Sequence, residues 1–283
     1  MGVLNVTPDS FSDGGHHHLP AAALARTQEM IAEGVDVIDV GGESTRPGAS
    51  PVDPVAEQSR VLPVLESIAA TCVRAGVRLS IDTRHASTAR AAVQRGATLL
   101  NDVSASLWPV AADEGVGWVA MHMVGRPQTM QASPHYVDVV TEVFGFLRAR
   151  AADARAAGVA EVWVDPGIGF AKTTAHNVAL LGRLQDLVSD GVPVVVGTSR
   201  KRSIGVLLAR SDAGSTPHPG PVGGSARFDD PDPVDVDDRL VGSLSTATWA
   251  MINGARMVRV HDVAATVQAV DVAVAARAAA AAS

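Results

Sequence analysis

One cysteine, Cys72, stands in the 283-residue chain, so an internal disulfide is excluded. Cys72 sits in an apolar helical stretch, 61–74, where a lone thiol reads as a small buried hydrophobe rather than a nucleophile. Aromatic residues are scarce at 4%, against an apolar fraction of 47%. The core must therefore be built from Ala, Val, Leu and Ile. Positive charge is also short: 23 basic residues face 30 acidic ones, for a net charge of −7. With no basic tract, nucleic acid is not an expected partner. An anionic ligand would have to be held by local groups. No run reaches the roughly 18 apolar residues of a membrane span, and no basic-then-apolar leader opens the chain. These absences lead to the expectation of a soluble protein in a reducing cytoplasm, with no membrane partner.

What is present is a repeated strand ending. Short apolar runs stop at residues that hydrogen-bond or ionise: Asn5, Asp39, Asp82, Asn101-Asp102, His122, Asp165, the stretch Gly197-Thr198-Ser199-Arg200-Lys201, and Arg259-Val260-His261. Between these eight strand candidates lie stretches long enough for the helical crossovers that parallel strands require. Eight β-then-α units suit an α/β (β/α)8 TIM barrel, a fold of about 250 residues with its site at the carboxyl ends of the strands. A single domain over 1–283 follows.

Helices are expected over 20–34, from Asp53-Pro54 to Gly76, and over 84–96, 137–158, 175–191, 240–254 and 263 onward. Glycine after a helix is the recurrent stop. The tail 273–282 is expected to fray, having little to bury. Segment 211–238, rich in Gly, Pro and Asp with Phe228 as its one aromatic, is expected to be a disordered insertion. His16-His17-His18 lies in an expected loop without spaced partners, which argues against a metal site.

Five segments carry polar chemistry in order. They are 5–15, with Asn5, Phe11 and Asp13; 39–48, with Thr45, Arg46 and Pro47; 165–172, Asp-Pro-Gly-Ile-Gly-Phe-Ala-Lys; Ser199-Arg200-Lys201; and Arg259-Val260-His261-Asp262. In this order and spacing the chain resembles the dihydropteroate synthase family over all but 211–238 and the tail. The resemblance implies a transferase of folate biosynthesis. Such an enzyme condenses 6-hydroxymethyl-7,8-dihydropterin pyrophosphate with p-aminobenzoate and releases pyrophosphate, with Mg2+ as cofactor, as a homodimer and a sulfonamide target.

The implied roles fit the chemistry of the residues. A pterin edge offers paired donors that the Asp165 carboxylate can accept. Asp82 and Asn101 serve the rest of that edge, and Lys201 donates to the ring carbonyl while its stem covers the ring. Arg259 and His261, two residues apart on a strand, point the same way and suit pyrophosphate, Arg259 through its planar fork. Asn5 is implied in Mg2+ and pyrophosphate binding. Asn5, Asp13, Lys201 and Arg259 form the implied catalytic set, with Asp13 facing the methylene cation. The resemblance assigns Phe11, Thr45, Arg46, Pro47 and Ser199 to p-aminobenzoate, with Ser199 expected at a helix start. Taken singly, Asp82, Asn101 or Asp165 reads equally well as a strand-end cap. His122 is expected to be structural.

Two departures from the family stand out. Only four residues precede Asn5, which leads to the expectation of a start upstream of Met1, and the 211–238 insertion adjoins helices that family members use for dimer contacts. A pterin-binding methyltransferase would need neither the arylamine loops nor Ser199-Arg200-Lys201. A non-catalytic paralogue should show damage in these motifs.

Overall fold

The computed structural model describes residues 1–6, 15–43, 50–125, 134–214 and 230–281. The described residues hold eight strands: β1 Gly2–Asn5, β2 Val37–Gly41, β3 Arg78–Asp82, β4 Leu99–Asp102, β5 Gly117–Met121, β6 Val162–Asp165, β7 Val195–Val196 and β8 Met257–Val258. β1 to β6 form a continuous parallel sheet in chain order, and β7 pairs in parallel with β8. Two seams join the pieces. Val164 bridges Val194, with Val164 N–H donating to Pro193 O at 3.0 Å. Gly2 bridges Val260, with Val3 N–H to Val260 O and Val260 N–H to Met1 O, both 2.9 Å. The sheet closes on itself, as a (β/α)8 barrel requires.

Around it run α1 Gly15–Ala32, α2 Pro54–Ala75, α3 Ala86–Val93, α4 Trp108–Glu114, α5 Val139–Ala156, α6 Thr174–Gly182, α7 Leu184–Val188, α8 Arg202–Asp212, α9 Leu240–Ile252 and α10 Val263–Ala281. Local chemistry sets several ends. Asp53 Oδ1 accepts the Val55 and Ala56 N–H groups at 3.0 Å, capping α2. Gly76, at φ +69°, stops α2, and Val77 N–H then reaches Cys72 O at 2.9 Å.

Side chains alternate across each strand, and this alternation builds the site. One file faces the helices: Ile38, Val40, Ile81, Leu100, Trp118, Ala120 and Val164 belong to the large cluster between barrel and helices. The other file faces inward. Met1, Val37, Leu99, Val119 and Val195 form a small buried plug, with Trp163 and Met257 packed against it. Two residues further along the same strands stand Asp39, Asn101, Met121, Gly197, Asp165 and Arg259. The polar set therefore sits directly on an apolar floor.

Several expectations need correction. α4 was not anticipated; its N-cap, Leu107, offers no capping side chain, and Asp102 Oδ2 fixes the approach to the helix by accepting the Ser106 and Leu107 N–H groups at 2.7 and 2.6 Å. The stretch 175–191 is two helices, because Arg183 at φ −110° leaves helical geometry. His16, His17 and His18 lie in α1, not in a loop. The tail is helical to Ala281, in keeping with the high helix propensity of alanine.

Disorder throughout 211–238 does not hold for its ends. Residues 211–214 and 230–238 are placed. Asp230 accepts Thr174 Oγ1 at 2.9 Å and Arg210 Nη2 at 2.6 Å, and Val234 N–H donates to Gly205 O at 3.2 Å. Residues 215–229 lie outside the described residues. Among the described residues no helix is long and apolar enough to cross a membrane.

Candidate active site

The strand ends open onto a pocket continuous with solvent. Its polar lining is Asp82, Asn101, Asp165, Ser199, Lys201, Arg259 and His261, against apolar walls from Val103, Met121 and Phe170. Seven residues singled out in the sequence, from five different strands or the loops after them, thus converge on one pocket.

On one side the charges interlock. Arg259 Nε donates to Asp39 Oδ2 at 2.7 Å and Arg259 Nη2 to Asp82 Oδ2 at 2.9 Å. Asn101 Nδ2 donates to the same Asp39 Oδ2 at 2.9 Å. Burial pushes Asp82 up to about 7, with Arg259 opposing and Asp39 adding to the shift.

Across the pocket, burial raises the Asp165 pKa while Lys201 opposes it, and Asp165 Oδ1 accepts Gly167 N–H at 2.7 Å. Lys201 Nζ lies 4.5 Å from the centre of the Phe170 ring and donates to Ile168 O. Burial lowers Lys201 to about 8, with Asp165 resisting. The turn that brings these groups together needs glycine. Gly167 has φ +66°, and a Cβ there would lie 2.0 Å from the His122 carbonyl oxygen.

Behind this turn lies a cross-link that the sequence reading missed. Buried Lys172 sends Nζ to His122 Nδ1 at 3.0 Å, His122 O at 3.2 Å, Gly167 O at 3.1 Å and Phe170 O at 3.0 Å. It fastens the end of β5 to the loop after β6. His122 stacks edge-on against Phe146, ring centres 5.1 Å apart, and does not line the pocket. Burial first, then Lys172, pushes His122 down to about 3.

Ser199 departs from expectation. α8 begins at Arg202 with Lys201 at its N-cap, so Ser199 precedes the helix start and its N–H is not in the first turn. Its Oγ instead lies 3.1 Å from His261 Nδ1 and accepts His261 N–H at 3.2 Å. Arg200 between them has φ +60° and is held by Asp262, with Nε to Oδ2 at 3.0 Å. That reversal turns Lys201 into the pocket.

Asn5, half-buried, ends β1. Its Oδ1 and Asp82 Oδ2 each come within 3.7 Å of where a Cβ on Gly41 would stand. Phe11, Asp13, Thr45, Arg46 and Pro47 lie outside the described residues. Among the described residues no group of three or more His, Cys, Asp or Glu could hold a metal ion. Asp39, completely buried, was named as a strand end in the sequence but given no role at the site. It lies two residues after Val37 on the inward file, but its partners, Asn101 and Arg259, are distant in sequence.

A model of pterin binding enzymes matches residues 1–261. The dihydropteroate synthase of Mycobacterium leprae is 44% identical, over 96% of this chain and 91% of its own length. Two solved dihydropteroate synthases superpose on the fold with a TM-score of 0.83. One, from Xanthomonas albilineans with 4-aminobenzoic acid, is 43% identical over 98% of this chain and 92% of its own. The other, from Yersinia pestis in complex with a sulfonamide drug, is 39% identical over 98% and 94%. Strand-end chemistry, barrel and likeness agree: the chain belongs to the pterin-binding enzyme family.

Proposed function

We propose that the chain acts as a dihydropteroate synthase, condensing 6-hydroxymethyl-7,8-dihydropterin pyrophosphate with p-aminobenzoate to give 7,8-dihydropteroate and pyrophosphate. The observation that carries this reading is the pairing, in one pocket, of the acceptor Asp165 and the amide of Asn101 with the cations Lys201 and Arg259. A pterin needs acceptors for its amino and ring N–H groups and a donor for its carbonyl. Asp165 takes the two donors, Asn101 and Asp82 meet the neighbouring edge, and Lys201 donates to the carbonyl. An apolar slot with a few fixed polar groups suits a flat heterocycle.

Arg259 and His261 hold the pyrophosphate. The methylene C–O bond breaks first, and its electron pair leaves on the pyrophosphate. The dihydropterin ring delocalises the resulting cation. The arylamine nitrogen then attacks, a C–N bond forms, and the amine proton passes to solvent. By resemblance to the family, Asp13 acts on the cation, and Phe11, Thr45, Arg46, Pro47 and Ser199 bind the arylamine; water is the competing nucleophile to be excluded.

Mg2+ suits the donor set. Asn5 and Asp82 bring oxygen atoms to one side of Gly41, and a hard ion shared with substrate phosphates asks for few protein ligands. When bound, held by Asn5, it supplies charge neutralisation for the departing pyrophosphate. The enzyme works as a cytoplasmic homodimer. Exposed Val241, Trp249 and Ile252 on α9 offer apolar surface for pairing.

Asp165→Asn tests the pterin assignment. The amide turns an N–H toward a ligand donor and leaves buried polar groups unpaired, at about 1–3 kcal/mol. Calorimetry should show pterin binding weakened at least about tenfold. Unchanged affinity would remove Asp165 from the ring site.

A further inference from the structure

Asp39 has no role in the reaction as described, yet it is the most deeply buried charge at the pocket. Its Oδ2 receives both Arg259 Nε and Asn101 Nδ2, while Oδ1 is buried without a hydrogen-bond partner among the described residues. An ionised carboxylate only accepts. The Asn101 amide can therefore approach it only through its NH2 end. That leaves Asn101 Oδ1 and one remaining amide hydrogen for the pocket, in a single orientation. The guanidinium is fixed in the same way, with Nε on Asp39 and Nη2 on Asp82. The carboxylate sits above Val37 on the inward file of β2, so the backbone holds it rigidly.

We propose that Asp39 is a positioning residue that orients the Asn101 amide and the Arg259 fork and thereby sets the donor–acceptor pattern read by the ligand. This rests on the pterin reading of the pocket. Without Asp39 the amide is free to turn over, presenting N–H where the ligand has N–H. A ring with the wrong pattern would then be rejected less strongly and the right one held less tightly.

The test measures binding of 6-hydroxymethyl-7,8-dihydropterin pyrophosphate by calorimetry, with KM for p-aminobenzoate and thermal melts alongside. It uses the unaltered protein, Asp39→Asn, Asn101→Asp, and the exchange Asp39→Asn with Asn101→Asp. Asp39→Asn is expected to weaken pterin binding about tenfold or more and leave KM for p-aminobenzoate within about twofold. Asn101→Asp sets two carboxylates face to face and should weaken binding about a hundredfold. The exchange restores an amide against a carboxylate with the same total charge, and should bind at least about tenfold more tightly than Asn101→Asp alone. That rescue decides the matter even if Asp39→Asn does not fold. A folded Asp39→Asn variant with unchanged pterin affinity, or with both substrates weakened equally, overturns the proposal, as does an exchange variant no better than Asn101→Asp. Failure of the unaltered protein to bind the pterin would be distinct, and would remove the functional reading together with this one.

Discussion

At the scale of single residues, the wall behind the pocket is held by a charge. The Lys172 ammonium meets four acceptors on two loops, and burial lowers its pKa to about 7 with Asp165 opposing. His122 must be neutral to accept from it, and its folded pKa falls from 6.5 to about 3. In the unfolded chain this imidazole binds a proton below about 6.5, so the unfolded state holds more protons throughout that window. The stability His122 contributes is complete above 6.5 and is lost as pH falls toward 3. Asp82 works in the opposite sense. Raised to about 7, it takes its proton in the fold before the unfolded chain does, so acid relieves its burial. His122→Gln keeps an acceptor and removes the titration, which isolates the histidine. Urea unfolding should show that the variant loses about 1.5 kcal/mol less than the unaltered protein between pH 6.5 and about 5. Equal losses would mean that His122 is not held neutral. Asp165, Asn101, Lys201 and Arg259 could be singled out in the sequence because they lie at strand ends or in the polar segments that follow them. Asp39 and Lys172 were not, since their meaning comes from partners 62, 220 and 50 positions away.

At the scale of elements, alternation and end chemistry made most of the fold readable. All eight strands lie where apolar runs meet polar stops, and α2 has the Asp53 cap and Gly76 stop read from its sequence. α4 escaped because no capping side chain marks its start at Leu107; the turn leading into it is held by Asp102, back on β4. Segment 230–238 escaped because composition registers apolar content, whereas this stretch is held by polar bonds. Asp230 joins α6 to α8 through Thr174 and Arg210, and Arg239 Nε donates to Val234 O at 2.9 Å. Asp230→Ala should therefore destabilise the protein by about 1.5–3 kcal/mol, the range for hydrogen bonds to a charged group. Replacing 215–229 with a short Gly-Ser link should retain activity and melting temperature, because loop length alone costs little. Equal damage from both changes would show that the contacts at 230–239 are not what matters.

At the scale of the whole molecule, closure was the least legible feature. The seams rest on backbone bridges at Val194 and Val260, outside the named strands, which leave little trace in side-chain pattern. Yet closure is what brings Arg259 from β8 against Asp39 and Asp82 on β2 and β3. A sulfonamide presents an aniline ring and a tetrahedral acceptor in place of the carboxylate. It should inhibit, with inhibition receding as p-aminobenzoate rises; inhibition indifferent to that substrate would put the drug elsewhere. The central claim is condensation itself, and pyrophosphate release by the purified protein tests it most directly. With pterin pyrophosphate, p-aminobenzoate and Mg2+ all present, pyrophosphate and 7,8-dihydropteroate should form in equal amounts, and omission of any one should abolish both. Pyrophosphate released at the same rate without p-aminobenzoate, or none with all three, would contradict the account.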